Sequence, residues 1–349
     1  MSAAADRPLA RKLFEPASIE EQAPAVKVLT YTLLLLWALV VLVPLYWVLI
    51  TSFKGPGAVD NGPFYIPFVD FAPSLAAWDF MLLQNNTLGP YLNSVVVALV
   101  STALAVLIGS LAAYALVRIR FQVKLAAVGV FLLLLVAVIV AVAAFGMKWE
   151  LAVGVAVVLF VIALWTLIGR TKLAVGNNDI EFWMISNRIM PPIVAVLPIY
   201  VMFQQMHLLD TKFALIATYT AVNLPIVVWL TRDFFAGIPR DLEESAELDG
   251  ASKFRVFFTI ALPLVRSGLV ATFLLVLILS WNEYLLALFL SNANAQTMPV
   301  LVSAQNTTRG PQWWYMSVLI VMMIGPVVVI ASVLQKHIAR GLLVGAVKG

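Results

Sequence analysis

The chain has 349 residues, 62% of them hydrophobic and only 11% charged, with a mean hydropathy of +0.99; a soluble domain is roughly 45–50% apolar and 25% charged, so most of this chain belongs in lipid. Its formal net charge of +4 comes from basic residues scattered between apolar segments, without the interleaved aromatics of a nucleic-acid patch, which argues against a nucleic-acid partner. There is no cysteine, and the two histidines, His207 and His337, are far apart in the chain, which excludes disulfides, thiolate metal sites and cysteine nucleophiles and leaves little for a zinc site or a Ser-His pair.

Residues 1–27 mix Arg7, Arg11 and Lys12 with Glu15, Glu20 and Glu21 and read as a solvated cytoplasmic leader. Eight charge-poor stretches follow: 28–52, 93–117, 125–147, 151–169, 182–206, 213–231, 267–290 and 313–335. Each approaches the ~20 residues that cross about 30 Å of hydrocarbon. The first is too long for a signal-peptide core and is read as a retained span. Backbone groups cannot stay unpaired in lipid, so the fold class is an all-α, polytopic membrane helical bundle of about eight transmembrane helices.

Orientation follows from the loop charges. With the N-terminus inside, all Lys and Arg face the cytoplasm except Lys54, Lys148, Lys212 and Arg309, which fall outside, and Arg188, which lies within a span. Both termini are therefore expected in the cytoplasm. The outer loop 54–92 carries Pro56, Pro63, Phe64, Tyr65, Pro67, Phe68 and Trp78, which suits an ordered segment. A second outer loop, 291–312, is polar.

The longest inner loop, 232–266, reads RDFFAGIPRDLEESAELDGASKFRVFFTIALPLVR. Pro239 sits where a helix can begin, Asp241, Glu243 and Glu244 load its first turn, and Gly250 offers a stop, which predicts a short helix over 240–248. Pro263 marks the start of the next span. The run Glu244-Ser245-Ala246, Gly250, then Ile260, Leu262 and Pro263 resembles the E-A-A, three residues, G, nine residues, I-x-L-P signature of bacterial ABC-importer permeases, with Ser245 where Ala is usual. Further stretches resemble the carbohydrate branch of that family, specifically the smaller maltose-type subunit. They are Asn93-Ser94, Met190-Pro191-Pro192, Leu208-Leu209-Asp210-Thr211, Asn223-Leu224-Pro225, Trp281-Asn282-Glu283-Tyr284 and the terminal Gly345-Ala346-Val347-Lys348-Gly349, in the family's order.

The resemblance implies a permease in the bacterial inner membrane that pairs with a second permease subunit, an ATPase dimer and an extracytoplasmic solute-binding protein. In it, Glu244, Ser245, Ala246, Asp249, Gly250 and Pro263 belong to the ATPase-coupling loop, loop 291–312 reaches toward the binding protein, and the terminal tail contacts the ATPases. ATP and Mg²⁺ would be bound by the ATPases; this chain has no G-x-x-x-x-G-K-[ST] loop and needs no cofactor of its own. Family members usually have six spans. Residues 125–180 therefore read as an inserted two-helix hairpin that divides the core into 28–124 and 181–349; 125–147 carries no polar side chain, which places the hairpin on the lipid-facing periphery.

Within the spans, Thr220 and Asn223 share a helical face, as do Ser280, Glu283 and Tyr284 by their three- and four-residue spacing, with Asn282 beside them. Two readings stand: a polar wall of the solute path, or interhelical hydrogen-bond anchors. Arg188 can snorkel to the cytoplasmic interface. Pro44, Pro191, Pro192, Pro198, Pro225 and Pro326 permit bends, and Trp313 and Trp314 read as interfacial anchors. The function expected is ATP-driven import of a carbohydrate, polyol or sugar derivative by alternating access. The alternative is an ion-coupled secondary transporter, for which the chain lacks several intramembrane ionisable groups or an inverted repeat.

Overall fold

In the computed structural model the described residues are 14, 22–62, 64–166, 173–186, 190–308 and 310–346, with side chains omitted at 143 and beyond 332. Most of the leader, Arg188, Arg309 and the last three residues of the tail lie outside them.

The chain is helical almost throughout. In order come α1 (Pro24–Thr51), α2 (Pro56–Asp60), α3 (Ala76–Asp79), α4 (Leu88–Arg118), α5 (Leu125–Phe145), α6 (Trp149–Thr166), α7 (Asn177–Ser186) and α8 (Pro192–Gln205). Then follow α9 (Lys212–Ala236), α10 (Arg240–Leu248), α11 (Lys253–Val256), α12 (Leu262–Leu264), α13 (Arg266–Trp281), α14 (Leu285–Leu290), α15 (Met298–Ala304) and α16 (Trp313–Ala346). Single π-helical turns, Phe80–Gln84 and Phe257–Ala261, follow α3 and α11. Six of these helices (α1, α4, α5, α6, α9 and α16) are long and apolar enough to cross a membrane.

Two of the eight expected spans depart from continuous helices. The stretch 182–206 is divided: α7 ends at Ser186, Pro191 is extended at ψ 128°, and α8 starts at Pro192 and runs for 14 residues, about 21 Å. Neither ring nitrogen can donate to a helical ladder, and a residue before proline is pushed out of the helical region, so a helix starts afresh at Pro192 where the sequence reading had allowed only a bend. The seventh stretch, 267–290, starts just after an 82° bend between the Lys253–Leu264 leg and α13. Pro263 thus lies on the leg before the bend, and the span proper begins at Arg266. The stretch itself breaks after Trp281.

The chain divides into two units, Met1–Tyr91 with Met298–Val328 and Leu92–Thr297 with Val329–Gly349. In the first, Ala77, Met81, Met298, Leu301, Val318 and Leu319 form a buried cluster, and Phe80 stacks on Tyr315 at 4.6 Å. Lys54, only 2% exposed, donates to the Phe64 carbonyl and lies 4.5 Å above the Trp47 ring. Burial pulls its pKa down, against the opposing field of Asp70. The aromatic outer loop is thereby pinned to the end of α1.

In the second unit α4 and α9 approach closely enough that a Cβ on Gly109 would meet Val227 Cγ1 at 2.5 Å, so only glycine fits there. Ala105, Val227 and Val276 continue that seam to α13. The segment expected as an insertion forms an antiparallel helical pair: α5 packs on α6 through Phe131 and Phe160, and no described α5 residue is buried. Its base is closed by a two-residue ribbon in which Val123 pairs with Val175 and Lys124 with Ala174. Asn177 then fastens the base to the end of α4, donating to the Leu116 and Ile119 carbonyls and accepting from the Phe121 amide.

Candidate functional site

The helix that the sequence places over 240–248 is α10, with those same limits. Pro239 precedes it at ψ 131°, and Asp241 and Glu243 occupy its first turn, where carboxylates complement the helix dipole. At its other end Gly250 has φ +84°, a left-handed conformation that costs a residue with a Cβ about 1–2 kcal/mol. The Gly250 amide donates to Glu247 O and the Ala251 amide to Ala246 O, both at 3.0 Å, so the last carbonyls are satisfied by a Schellman turn. Ser252 then caps α11, its hydroxyl accepting from the Arg255 amide.

Two adjacent glutamates of α10 meet different surroundings, one exposed and one buried. Glu244 is exposed, as are Ser245, Asp249 and Gly250, while Ala246 is half-buried. Leu248 is 89% exposed and Phe254 70%, so an apolar knob stands among the acids. The Ser245 hydroxyl donates to Asp241 O at 2.7 Å, which is how a serine takes an alanine position without an unpaired polar group. Glu243 is buried. Its carboxylate accepts from Arg118 Nε at 2.9 Å on both oxygens, from Arg118 Nη2 at 2.6 Å and from the Tyr114 hydroxyl at 2.8 Å. Arg118 Nη2 also donates to the carbonyl of Phe235 in the last turn of α9, at 3.2 Å, and to that of Ile238 just past it, at 2.9 Å. The rings of Tyr114, Phe235 and Phe257 enclose the group. In such a place removing one charge of the pair costs about 3–5 kcal/mol, because the other is left buried and unpartnered.

The intramembrane polar residues fall into two groups. Thr220, Asn223 and Ser280 are all buried. Asn223 Nδ2 donates to Ser280 Oγ at 3.1 Å, joining α9 to α13, and the Thr220 hydroxyl donates to Ser101 O on α4 at 3.3 Å. Asn282, Glu283 and Tyr284 form the break between α13 and α14. Ser280, Glu283 and Tyr284 therefore do not share a helical face as their spacing predicts. The reason is local: the Asn282 side chain turns back to Ile278 O, and the Glu283 carboxylate accepts the Leu286 amide at 3.0 Å, starting α14 instead of continuing α13. Tyr219, whose hydroxyl donates to Glu283 O at 3.3 Å, braces the break from α9.

A family profile described as "Binding-protein-dependent transport system inner membrane component" matches residues 23–344. The chain belongs to this family. It is 30% identical over 312 residues to the probable ABC transporter permease protein y4oR of Sinorhizobium fredii, covering 89% of this chain and 92% of that one. It is 28% identical to the trehalose/maltose transport system permease protein MalG of Thermococcus litoralis, over 90% of this chain and 94% of that one. Among solved structures, a bacterial ABC transporter that imports the acidic polysaccharide alginate has a chain of the same fold, with a TM-score of 0.59 at 20% identity, covering 89% of this chain and 96% of the other. As a component of a binding-protein-dependent transport system, this multi-span chain is a transport subunit.

The sequence reading of this permease missed one further arrangement. Asp210, between α8 and α9, accepts hydrogen bonds from the amides of Asn292, Asn294 and Ala295 at 2.7 to 3.1 Å and from the Asn294 side chain at 2.9 Å. Asn93 Nδ2 on α4 donates to the carbonyls of Asn294 and Gln296. Segment 292–296 is thus held from two sides. Both residues lie in stretches that had served only as family markers, and Arg118 and Tyr114 carried no signal beyond an inner charge and an apolar face.

Proposed function

We propose that this permease is the transmembrane subunit of an ATP-driven importer for a carbohydrate or a related polyol or sugar derivative. The carbohydrate class rests on relatives named for sugars: the trehalose/maltose permease above and the diacetylchitobiose uptake permease NgcG of Streptomyces coelicolor, 27% identical over 89% of this chain. The working complex pairs this chain with a second permease, an ATPase dimer that binds ATP and Mg²⁺, and an extracytoplasmic binding protein. It sits in the bacterial inner membrane with both termini in the cytoplasm.

The observation that carries this reading is the two-sided character of α10. One side, with Glu244, Ser245, Leu248, Asp249 and Gly250, is open to a partner; the other is bonded to the bundle through Glu243. A helix built this way transmits motion from a docked ATPase to the spans, switching the pathway between its two openings. Thr220, Asn223 and Ser280 act in it as interhelical anchors, while Asn282, Glu283 and Tyr284, at a helix break, are the candidates for facing the solute.

Replacing Gly250 by valine tests the reading. A β-branched residue at φ +84° strains the Schellman turn by about 1–2 kcal/mol and frays the docking end of α10. In proteoliposomes containing the whole complex, solute-stimulated ATP hydrolysis and solute uptake should fall together. Unchanged rates in the Gly250→Val complex, or uptake by the isolated chain on an ion gradient, would overturn it in favour of a secondary transporter.

A further inference from the structure

We infer that Arg118 and Glu243 are the joint through which α10 moves the spans, and that the motion is delivered to α4 and α9 together. This rests on the importer reading above and adds to it the residues that carry the transmission.

The argument starts from what attaches α10. Of its nine residues only Glu243 is buried. Its leucines face away from the spans, Leu242 being 47% and Leu248 89% exposed, so the helix has no apolar anchor of the kind that normally seats an amphipathic segment. The turn after α10, 249–252, is largely exposed and contains Gly250, whereas the turn before it, 237–239, is fixed by buried Ile238, whose carbonyl accepts from Arg118. Glu247 pairs with Lys253 and so ties α10 to α11, while Glu243 is the α10 side chain whose hydrogen bonds reach Tyr114 and Arg118 on α4 and, through Arg118, the end of α9.

That carboxylate is held in a way that resists both sliding and rotation. Arg118 engages it through two nitrogens, so the planes of guanidinium and carboxylate are fixed with respect to each other. Tyr114, one turn earlier on α4, gives a third bond from a different direction. The same Arg118 nitrogen reaches the Phe235 and Ile238 carbonyls, tying the exit of α9 to the pair. A neighbouring glutamate on the exposed face, Glu244, has none of these ties. The division of labour is that Glu244 and its neighbours meet the partner while Glu243 grips the bundle.

The pair's contribution is a positioning one, and its test reads coupling, which mere folding does not set. In proteoliposomes holding the full complex and the loaded binding protein, Glu243→Gln should keep ATPase binding and ATP hydrolysis, since the partner-facing side is untouched. Solute moved per ATP should fall by at least about tenfold, because the Arg118 charge is left buried without its counter-charge, a larger loss than that of one charge-assisted bond. The double variant Arg118→Leu with Glu243→Leu removes both charges together, so no buried charge is left alone and assembly is retained; it too should uncouple.

Because the chain has no cysteine, the joint can also be rebuilt chemically. In Arg118→Cys with Glu243→Cys, bridging the thiols with a short bis-methanethiosulfonate should restore solute moved per ATP, and reduction should abolish it again. This pair decides the matter if the other variants fail to assemble. A wild-type ratio in either of the first two variants, or a bridged pair that stays uncoupled, overturns the joint while leaving the importer reading intact. A wild-type complex without solute-stimulated ATP hydrolysis overturns the importer reading itself, and the joint with it.

Discussion

Asp210 is a residue whose role depends on groups that lie 82 to 85 positions further along the chain. Burial alone would raise its pKa, but the amides of Ala295, Asn294 and Asn292 and the Asn294 side chain outweigh that and hold it below the ordinary 3.8. A carboxyl with a depressed folded pKa stabilises the fold at every pH above its unfolded value and loses that contribution as pH falls through the folded one. Amide exchange at Asn292, Asn294 and Ala295, corrected for intrinsic rates, should therefore be flat from neutral pH down to about 4 and quicken below it. Asp210→Asn should be quick throughout, and a pH-independent rate in the unsubstituted permease would show that the carboxylate does not hold the loop. Nothing local foretold this. The stretch Leu208 to Thr211 displays its cap, Thr211 accepting from the Ala214 amide to start α9, but not the distant loop that Asp210 gathers. Gly250 and Pro239 were legible for the opposite reason: they act on the backbone within a few residues of themselves, so the limits of α10 could be read directly from the sequence.

Among the elements, the apolar runs gave the spans, whereas the breaks depended on details that hydropathy averages away. A window over 182–206 registers hydrophobicity and passes over the consecutive prolines at which α8 begins. A window over 267–290 registers Glu283 as a charge to be hidden, although its carboxylate is used to start α14. The hairpin of α5 and α6 was plain because its residues are apolar all round, and its closure by β1 (Val123–Lys124) and β2 (Ala174–Val175) adds a structural reason to treat it as separable. Lys124 and Ala174 are paired across that ribbon, so the chain can be rejoined there by a two-residue Asn-Gly turn that suits such a pair. A permease lacking residues 125–173 and closed in this way should insert, purify with its partner subunits and melt within about 4 °C of the full chain, the shift expected of ~1 kcal/mol in a protein of this size. Asn177 is retained and still secures the end of α4. Aggregation of the shortened chain, or loss of a partner from the complex, would mean that the hairpin's outer faces are packed in the assembly.

At the scale of the whole molecule the decisive quantity is which side of the bilayer each loop occupies, and that is fixed by charge, not by packing. Lys54, Lys148 and Lys212 are the outward exceptions among the described basic residues, while Arg118, Lys124, Arg232, Arg240, Lys253, Arg255 and Arg266 gather on the opposite side of the expected topology. Two spans added between α4 and α7 leave that assignment unchanged for everything after them, so α10 and segment 292–296 should lie on opposite faces. The lack of native cysteine makes a direct test clean. Leu248→Cys and Ala293→Cys both place a thiol at an exposed position, and Lys148→Cys places one at the tip of the hairpin. In intact cells with a permeabilised outer membrane, an impermeant maleimide should label the Ala293→Cys and Lys148→Cys proteins and spare Leu248→Cys until the inner membrane is opened. Labelling of Leu248→Cys from outside would put α10 on the wrong face for any cytoplasmic ATPase, and neither the partner-facing acids nor the Arg118–Glu243 joint could then serve coupling. Labelling at 293 but not at 148 would instead confine the error to the hairpin, which would then enter the membrane without crossing it, and the even parity that protects the rest of the topology would still hold.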